Sequence, residues 1–331
     1  MQKITAYPVK FTPIAMERIW GGHDLVKKFG DNCEQSIGEY WVLSGHPNGM
    51  SVVKNGPLAG MSLVELTEQY NAYLGQSPQS RFPLMIKFLE ANHDLSVQIH
   101  PDDQYALERE GDYGKTEAWY VLQTTANGQV IYGHTFTDDG EYRHAVETGS
   151  VKDYLTYHPV QAGDLVFVPA RTLHALLAGT QVIEVQQTSD VTYRVYDWDR
   201  VDQSGKPREL HVQKAGEVMQ YGASAESTPK QSVKVLNDSQ GTYHKQLVSC
   251  AYFTMDVVEL TQAKYSVSQG KAGNPDIIVV ASGEGRLVYQ AENDKQESLS
   301  LGFGDTVLLP GTMATYELHT DSDLRLLRTY Y

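Results

Sequence analysis

Gly163-Asp164-Leu165-Val166-Phe167-Val168-Pro169 and Gly304-Asp305-Thr306-Val307-Leu308-Leu309-Pro310 align without a gap, with Gly, Asp and Pro at equal offsets. In each, a glycine turn leads into a short apolar run that a proline stops, the pattern of a strand between turns. No other feature constrains the fold as tightly, because a supersecondary unit repeated at this scale predicts two copies of one β-barrel or sandwich. The first copy continues to His174 and the second to Thr315 at the same offset. With the histidine in only one copy, a metal site belongs to the first copy alone, and the second is a structural partner.

The 331 residues exceed one ordinary domain. We expect a first domain over 1–235 with helical insertions and a second over 236–331, with the polar stretch from Gly222 to Gln231 as linker. Helices are predicted from a Ser62 cap to near Gly75, from Pro101-Asp102-Asp103 to Glu110-Gly111, over Gly140 to Tyr157 with a break at Gly149, and over Glu209 to Tyr221. The apolar run from Phe82 to Leu89 reads as a strand covered on both faces. Lys87 interrupts it and must reach solvent, a partner charge or a ligand.

Strand geometry singles out the donor residues. In Val97-Gln98-Ile99-His100, Gln98 and His100 share one face while Val97 and Ile99 share the other. Glu117 follows in Gly114-Lys115-Thr116-Glu117, two residues after Lys115, so both point into the same space. His174 comes just past the first repeated strand. Gln98, His100, Glu117 and His174 form a mixed nitrogen and oxygen set that suits a catalytic divalent metal with an open position. Plainer roles stand beside these: a satisfied core histidine, a buried amide, an ion pair between Glu117 and Lys115. Arg194 shares a face with Thr192 and Tyr196; it either pairs with Asp190 or Asp197 or presents a cation inward. Lys87 and Ser96 are candidate phosphate or sugar contacts. Arg171 reads as a turn residue, Trp119 and Trp198 as packing aromatics.

The formal net charge of −14 repels nucleic acid and anionic lipid, so neither is an expected partner. An anionic small substrate then needs a local basic pocket. Met1 to Lys10 has no apolar run of the exported type and no stretch reaches membrane-spanning length, so the expectation is a soluble cytoplasmic protein, monomeric or a weak homo-oligomer. Cys33 and Cys250 share no metal-type spacing and are expected as free thiols.

Taken in order, Trp20-Gly21-Gly22, Gly38-Glu39-Tyr40-Trp41, Leu95 to Pro101, Gly114 to Glu117, Gly163 to His174 and Gln187 to Asp197 resemble the type I phosphomannose isomerases of the cupin superfamily, in their shorter bacterial form. The resemblance implies a mainly β fold of two cupin-type β-barrels (jelly rolls) with a small helical portion, and zinc, one per chain, held by Gln98, His100, Glu117 and His174. It implies Arg194 as a catalytic arginine, and interconversion of mannose 6-phosphate and fructose 6-phosphate, a small hexose phosphate substrate, through a cis-enediol. Lys115 and Asp190 are the side chains available to move the proton, beside a hydroxide on the metal. Ala170 stands where the family often has Gly, and the helical insertion is short. A non-catalytic sugar-phosphate-binding cupin and another cupin metalloenzyme are the alternatives, since the fold hosts unrelated functions.

Overall fold

The computed structural model describes residues 5–77, 79–201, 205–222, 233–291 and 295–331. The stretch read as a linker lies outside the described residues, apart from Gly222. The chain divides into two compact units, each discontinuous: residues 15–40 with 86–230, and residues 1–14 with 41–85 and 231–331. Compared with the expected cut at 235, residues 1–14 and 41–85 therefore group with the C-terminal strands. Among the described residues no helix is long and apolar enough to cross a membrane.

The unit built on residues 86–230 is organised by two antiparallel sheets. One runs, neighbour to neighbour, Leu165–Val168, Glu117–Gln123, Thr180–Gln187, Leu84–Ala91, Ile37–Leu43, Ile14–Gly22. The other runs Leu155–Pro159, Gln129–His134, His174–Leu176, Val97–Ile99, Tyr193–Tyr196. Side-chain alternation decides what each face meets. Trp119, Val121, Val168 and Val182 of the first sheet pack with Val130, Tyr132 and Leu176 of the second in one buried cluster, so these residues fill the space between the sheets. Val97, Ile99, Ile131, Ala175 and Tyr193 point to the opposite face of the second sheet. There they are covered by Tyr142 and Ala145 of the helix Asp139–Thr148 and by Ala215 and Val218 of the helix Val212–Val218. The helices thus seal one face, and the intervening residues of the same strands, Gln98 and His174 among them, are left facing between the sheets.

The helices follow their local signals. Ser62 and Glu65 form a reciprocal cap on Leu63–Gln69, and the helix ends there, short of Gly75, with a single 3₁₀ turn over Asn71–Tyr73. Asp102 caps Asp103–Glu110, which Gly111 closes at φ 66°. The stretch 140–157 is helical only to Thr148; after a 3₁₀ turn, Leu155–Pro159 is a strand, because its residues pair with Gln129–His134. Only Val212–Val218 of the expected 209–221 is helix.

In the other unit the sheet order repeats. Thr306–Leu309, Asp276–Gly283, Asp323–Tyr330, Thr254–Thr261, Thr242–Ser249 and Lys234–Ser239 follow one another as the first six-stranded sheet does, with Val9–Lys10 added at one edge. Gln296–Leu301, Gly285–Gln290, Thr315–His319 and Lys264–Ser268 repeat the second sheet without its last strand. The repeat read from the sequence is therefore a repeat of topology. One detail differs from the linear alignment. His174 faces inward, but in the second copy Tyr316 and Leu318 face the core and Thr315 is exposed, so alternation slips by one residue in the turn and Tyr316, not Thr315, takes the inward place.

Gly114 is required by close approach: a Cβ there would lie 2.5 Å from Asp103 N and 2.6 Å from Asp102 C, both backbone atoms. Its N–H also donates to Asp103 Oδ1 at 2.9 Å. Gly114→Ala is expected to destabilise the protein by about 1–3 kcal/mol through overpacking, measured by urea denaturation.

Candidate metal centre and active site

Three antiparallel registers bring the donors together. Gln98 lies opposite His174 on one side and Arg194 on the other, while Val168 lies opposite Glu117. His100 follows the last residue of the Val97–Ile99 strand. His100, Glu117 and His174 then form a buried group whose ligand atoms all lie within 4.8 Å of one another. The gaps are 3.4 Å from His100 Nε2 to Glu117 Oε2 and 3.3 Å from His174 Nε2 to Glu117 Oε1. Bonds of about 2.0–2.2 Å at tetrahedral angles separate two ligand atoms by about 3.3–3.6 Å, so one ion fits.

Hydrogen bonding settles which ring nitrogen faces inward. His100 Nδ1 donates to the Val191 carbonyl at 2.9 Å and His174 Nδ1 to the Thr172 carbonyl at 2.8 Å, leaving each Nε2 as an acceptor, which in His100 takes a hydrogen bond from Lys115 Nζ at 3.2 Å. Burial lowers both imidazole pKa values, that of His100 to about 3 with Lys115 adding to the effect, so both rings are neutral. The Glu117 carboxylate is fully buried, with Oε2 paired to the Lys115 ammonium at 3.1 Å and Oε1 without a hydrogen bond. A buried carboxylate between two imidazole nitrogens is a set that a cation can bind. The Gln98 amide comes within 3.5 Å of His174 Nε2, and a half-turn of that amide presents its oxygen on the same side.

Glu117 is held in place from behind. Gln187 accepts the Thr116 N–H at 2.9 Å and donates to Asp103 at 3.0 Å, the carboxylate that also accepts from Gly114. Arg171 is a turn residue, as read, but at φ 71° and with its N–H on the His100 carbonyl at 2.7 Å, so the loop before His174 is fastened to the other histidine.

Beside the metal group opens a cavity of about 320 Å³ lined by Lys87, Ser96, Gln98, Lys115, Asp190 and Arg194, all read from the sequence. Its lining carries five cations, adding Arg18 and Arg208, against three carboxylates, adding Glu39 and Glu184. This is the basic pocket that a chain of net charge −14 needs for an anionic substrate. Lys115 Nζ lies 3.1 Å from Glu117 Oε2; burial opposes its charge, but Glu117 and Glu184 outweigh it and raise the ammonium pKa. Burial also opposes ionisation of Glu117, and Lys115 overcomes it, holding the carboxyl well below the usual range. Lys87 reaches Glu184 at 3.4 Å and Glu39 at 3.9 Å, the partner charges its position demanded. Arg194 donates from Nη1 to the Glu209 carbonyl at 2.7 Å, while Asp197 is engaged by Arg200 and Arg208. Burial, then Arg208, lowers the Arg194 pKa, and its Nε is buried without a hydrogen bond.

Sequence reasoning missed Arg18, Glu39, Glu184 and Arg208. Glu184 had a signal, an acid within the apolar Thr180–Gln187 strand, where every residue is buried. Arg208 had none, since Lys206-Pro207-Arg208-Glu209 is ordinary loop composition.

Comparison with known proteins gives the lineage. Residues 9–120 match the model for "Phosphomannose isomerase type I, catalytic domain". The chain is 40% identical over 315 residues to the mannose-6-phosphate isomerase of Streptococcus mutans, covering 95% of each. It belongs to the type I phosphomannose isomerases. Against the crystal structure of the mannose 6-phosphate isomerase from Bacillus subtilis the TM-score is 0.89 at 35% identity, with 99% of this chain and 100% of that one covered. The fold of this chain is mainly β, as expected.

Glu117→Gln is expected to abolish retention of a divalent metal and, in chelator-treated protein, to cost about 3 kcal/mol or more, because Lys115 loses its nearest counter-charge while buried. Metal analysis after dialysis and urea titration read the two effects separately.

Proposed function

We propose that this chain is a cytoplasmic, zinc-dependent mannose-6-phosphate isomerase, interconverting D-mannose 6-phosphate and D-fructose 6-phosphate through a cis-enediol. The observation that carries it is the buried His100–Glu117–His174 group lying behind Gln98 and Lys115, two residues that line a cation-rich cavity of about 320 Å³, in a chain of this family. In this reading the metal-binding part is 1–235, since all four proposed ligands fall there, and 236–331 is the structural partner.

Gln98, His100, Glu117 and His174 are the residues that hold the ion. When bound, the metal supplies Lewis acidity toward the sugar's oxygens, stabilising negative charge as a carbon-bound proton leaves. The protein does the rest. Lys115, kept charged by Glu117 and Glu184, is a fixed ammonium that stabilises the enediolate rather than a base that takes a proton. We assign Asp190, on the same cavity wall, to carry the proton between C2 and C1; among the lining carboxylates, Glu39 and Glu184 are the ones already turned to Lys87. Arg194 offers a guanidinium with one edge tied to Glu209 and a desolvated Nε, a preorganised partner for oxyanion or phosphate. Arg208, steadied by two bonds to Asp197 at 2.7 and 2.6 Å, and Lys87 supply further positive charge for the phosphate, and Ser96 contacts the sugar.

Purified protein is expected to form fructose 6-phosphate from mannose 6-phosphate, and a chelator to stop it. Arg194→Ala should lower kcat/KM by roughly a hundredfold or more with metal content unchanged. Wild-type turnover in that variant would remove Arg194 from the reaction, and turnover in fully chelated protein would remove the metal.

A further inference from the structure

The two copies match strand for strand, and at one edge only one of them is finished. Val168 lies opposite Glu117 in the first copy and Leu309 opposite Asp276 in the second, while Glu184, opposite Trp119, has its counterpart in Arg328, opposite Ile278. Leu165–Val168 and Thr306–Leu309 are therefore the same strand of the repeat. Thr306–Leu309 does not end its sheet: Val9–Lys10 pairs antiparallel along its outer side, with Val9 opposite Leu308 and Lys10 opposite Val307. Leu165–Val168 ends its sheet, with no strand on its outer side among the described residues. Burial follows the covering. Thr306, Val307 and Leu308 are 2, 0 and 0% exposed, whereas Leu165, Val166 and Phe167 are only half-buried.

The lysine of the covering strand has a defined seat. Lys10 Nζ lies 2.6 Å from Asp305 Oδ2 and also donates to the Ser300 carbonyl, so it ties the edge of one sheet to the edge strand Gln296–Leu301 of the other. The first copy has the same turn. Asp164 accepts the Gln161 N–H at 2.9 Å as Asp305 accepts the Gly302 N–H at 2.9 Å, at the same spacing along the chain. Counted back from those acids, Pro159 stands where Ser300 does. Asp164 and Pro159, together with Leu165, Val166 and Phe167, line a cavity of about 210 Å³ that both edge strands of the first copy border. Among the described residues no cation is paired with Asp164.

We propose that the outer edge of Leu165–Val168 is a docking site for an extended segment of a partner protein, in which an apolar residue lies opposite Phe167 and the lysine after it lies opposite Val166 and reaches Asp164. What fits is shown by the chain's own Val9–Lys10, which completes the same edge in the second copy. A basic segment also suits a chain of net charge −14. An open strand edge presents a row of backbone groups that one more strand satisfies, and the seats for alternate side chains supply selectivity.

The probe is a fluorescein-labelled synthetic peptide of residues 7–12, Tyr7-Pro8-Val9-Lys10-Phe11-Thr12, added to the full chain. Anisotropy should report saturable binding of one equivalent with a Kd of about 1 mM or tighter. Amide hydrogen exchange should slow at Leu165–Val168 and not at Thr306–Leu309. Asp164→Asn should weaken binding by about fivefold or more, and so should a peptide with norleucine in place of its lysine, an arm that needs no variant protein to fold. Absence of saturable binding, unchanged affinity in those arms, or protection at Thr306–Leu309 instead overturns the inference. So does a wild-type chain that sediments as a dimer and protects Leu165–Val168 with rising protein concentration alone, because the occupant of the edge is then a second copy.

Discussion

A fully buried, ionised carboxylate is the constraint around which the first copy is arranged. Glu117 is fully buried and ionised, which a protein interior tolerates only when positive charge is supplied at close range. Lys115 supplies part of it at 3.1 Å, and the two imidazoles contribute lone pairs rather than charge. The balance is charge that a metal ion in the proposed site would supply. Everything that locates Glu117 would then serve that site: the Asp103–Gln187 brace behind it, the absence of a Cβ at Gly114, and the register that sets His174 against Gln98.

The same arrangement governs the substrate side. Lys115 is fixed as a cation because it answers Glu117 and Glu184, so its charge is available without being mobile. Glu39 and Glu184 do likewise for Lys87, and Asp197 for Arg208. Lys115, Lys87 and Arg208 are thus each held by a carboxylate behind them, whereas Arg194 is tied to the Glu209 carbonyl. Such pairs are already desolvated and fixed, so they need no reorganisation when a charged ligand arrives, which is how preorganised sites lower barriers. A strongly acidic chain carries a basic pocket in this way without an extended basic surface.

How much of this was legible depended on periodicity. Gln98, His100, Glu117 and Lys115 were readable because strand alternation is strict, and the apolar partners Val97 and Ile99 fixed which face was which. The repeat was readable from Gly, Asp and Pro at matched offsets, and the matching sheet orders follow from it. Legibility failed wherever contacts distant in sequence decide. Leu155–Pro159 looked helical but pairs as a strand, the grouping of residues 1–14 and 41–85 with the C-terminal strands has no local mark, and Arg208 comes from a loop. Thr315 was misplaced by one because a linear alignment does not see which face a strand shows after a turn.

That single-residue slip explains why two copies with one topology do different work. In the first, the strand after the turn presents His174 inward; in the second it presents Tyr316, which donates a hydrogen bond and cannot offer a neutral lone pair of imidazole type. A carboxylate at the shared position is then left short of ligand partners for a metal, and the charge it needs must come from the chain itself. Arg328 meets that need from the position where the first copy has Glu184, which forces its neighbour Asp256 to be acidic where the first copy has a lysine. In both copies the buried charges are balanced in a dry interior, with opposite signs at the matched strand positions of Glu184 and Arg328.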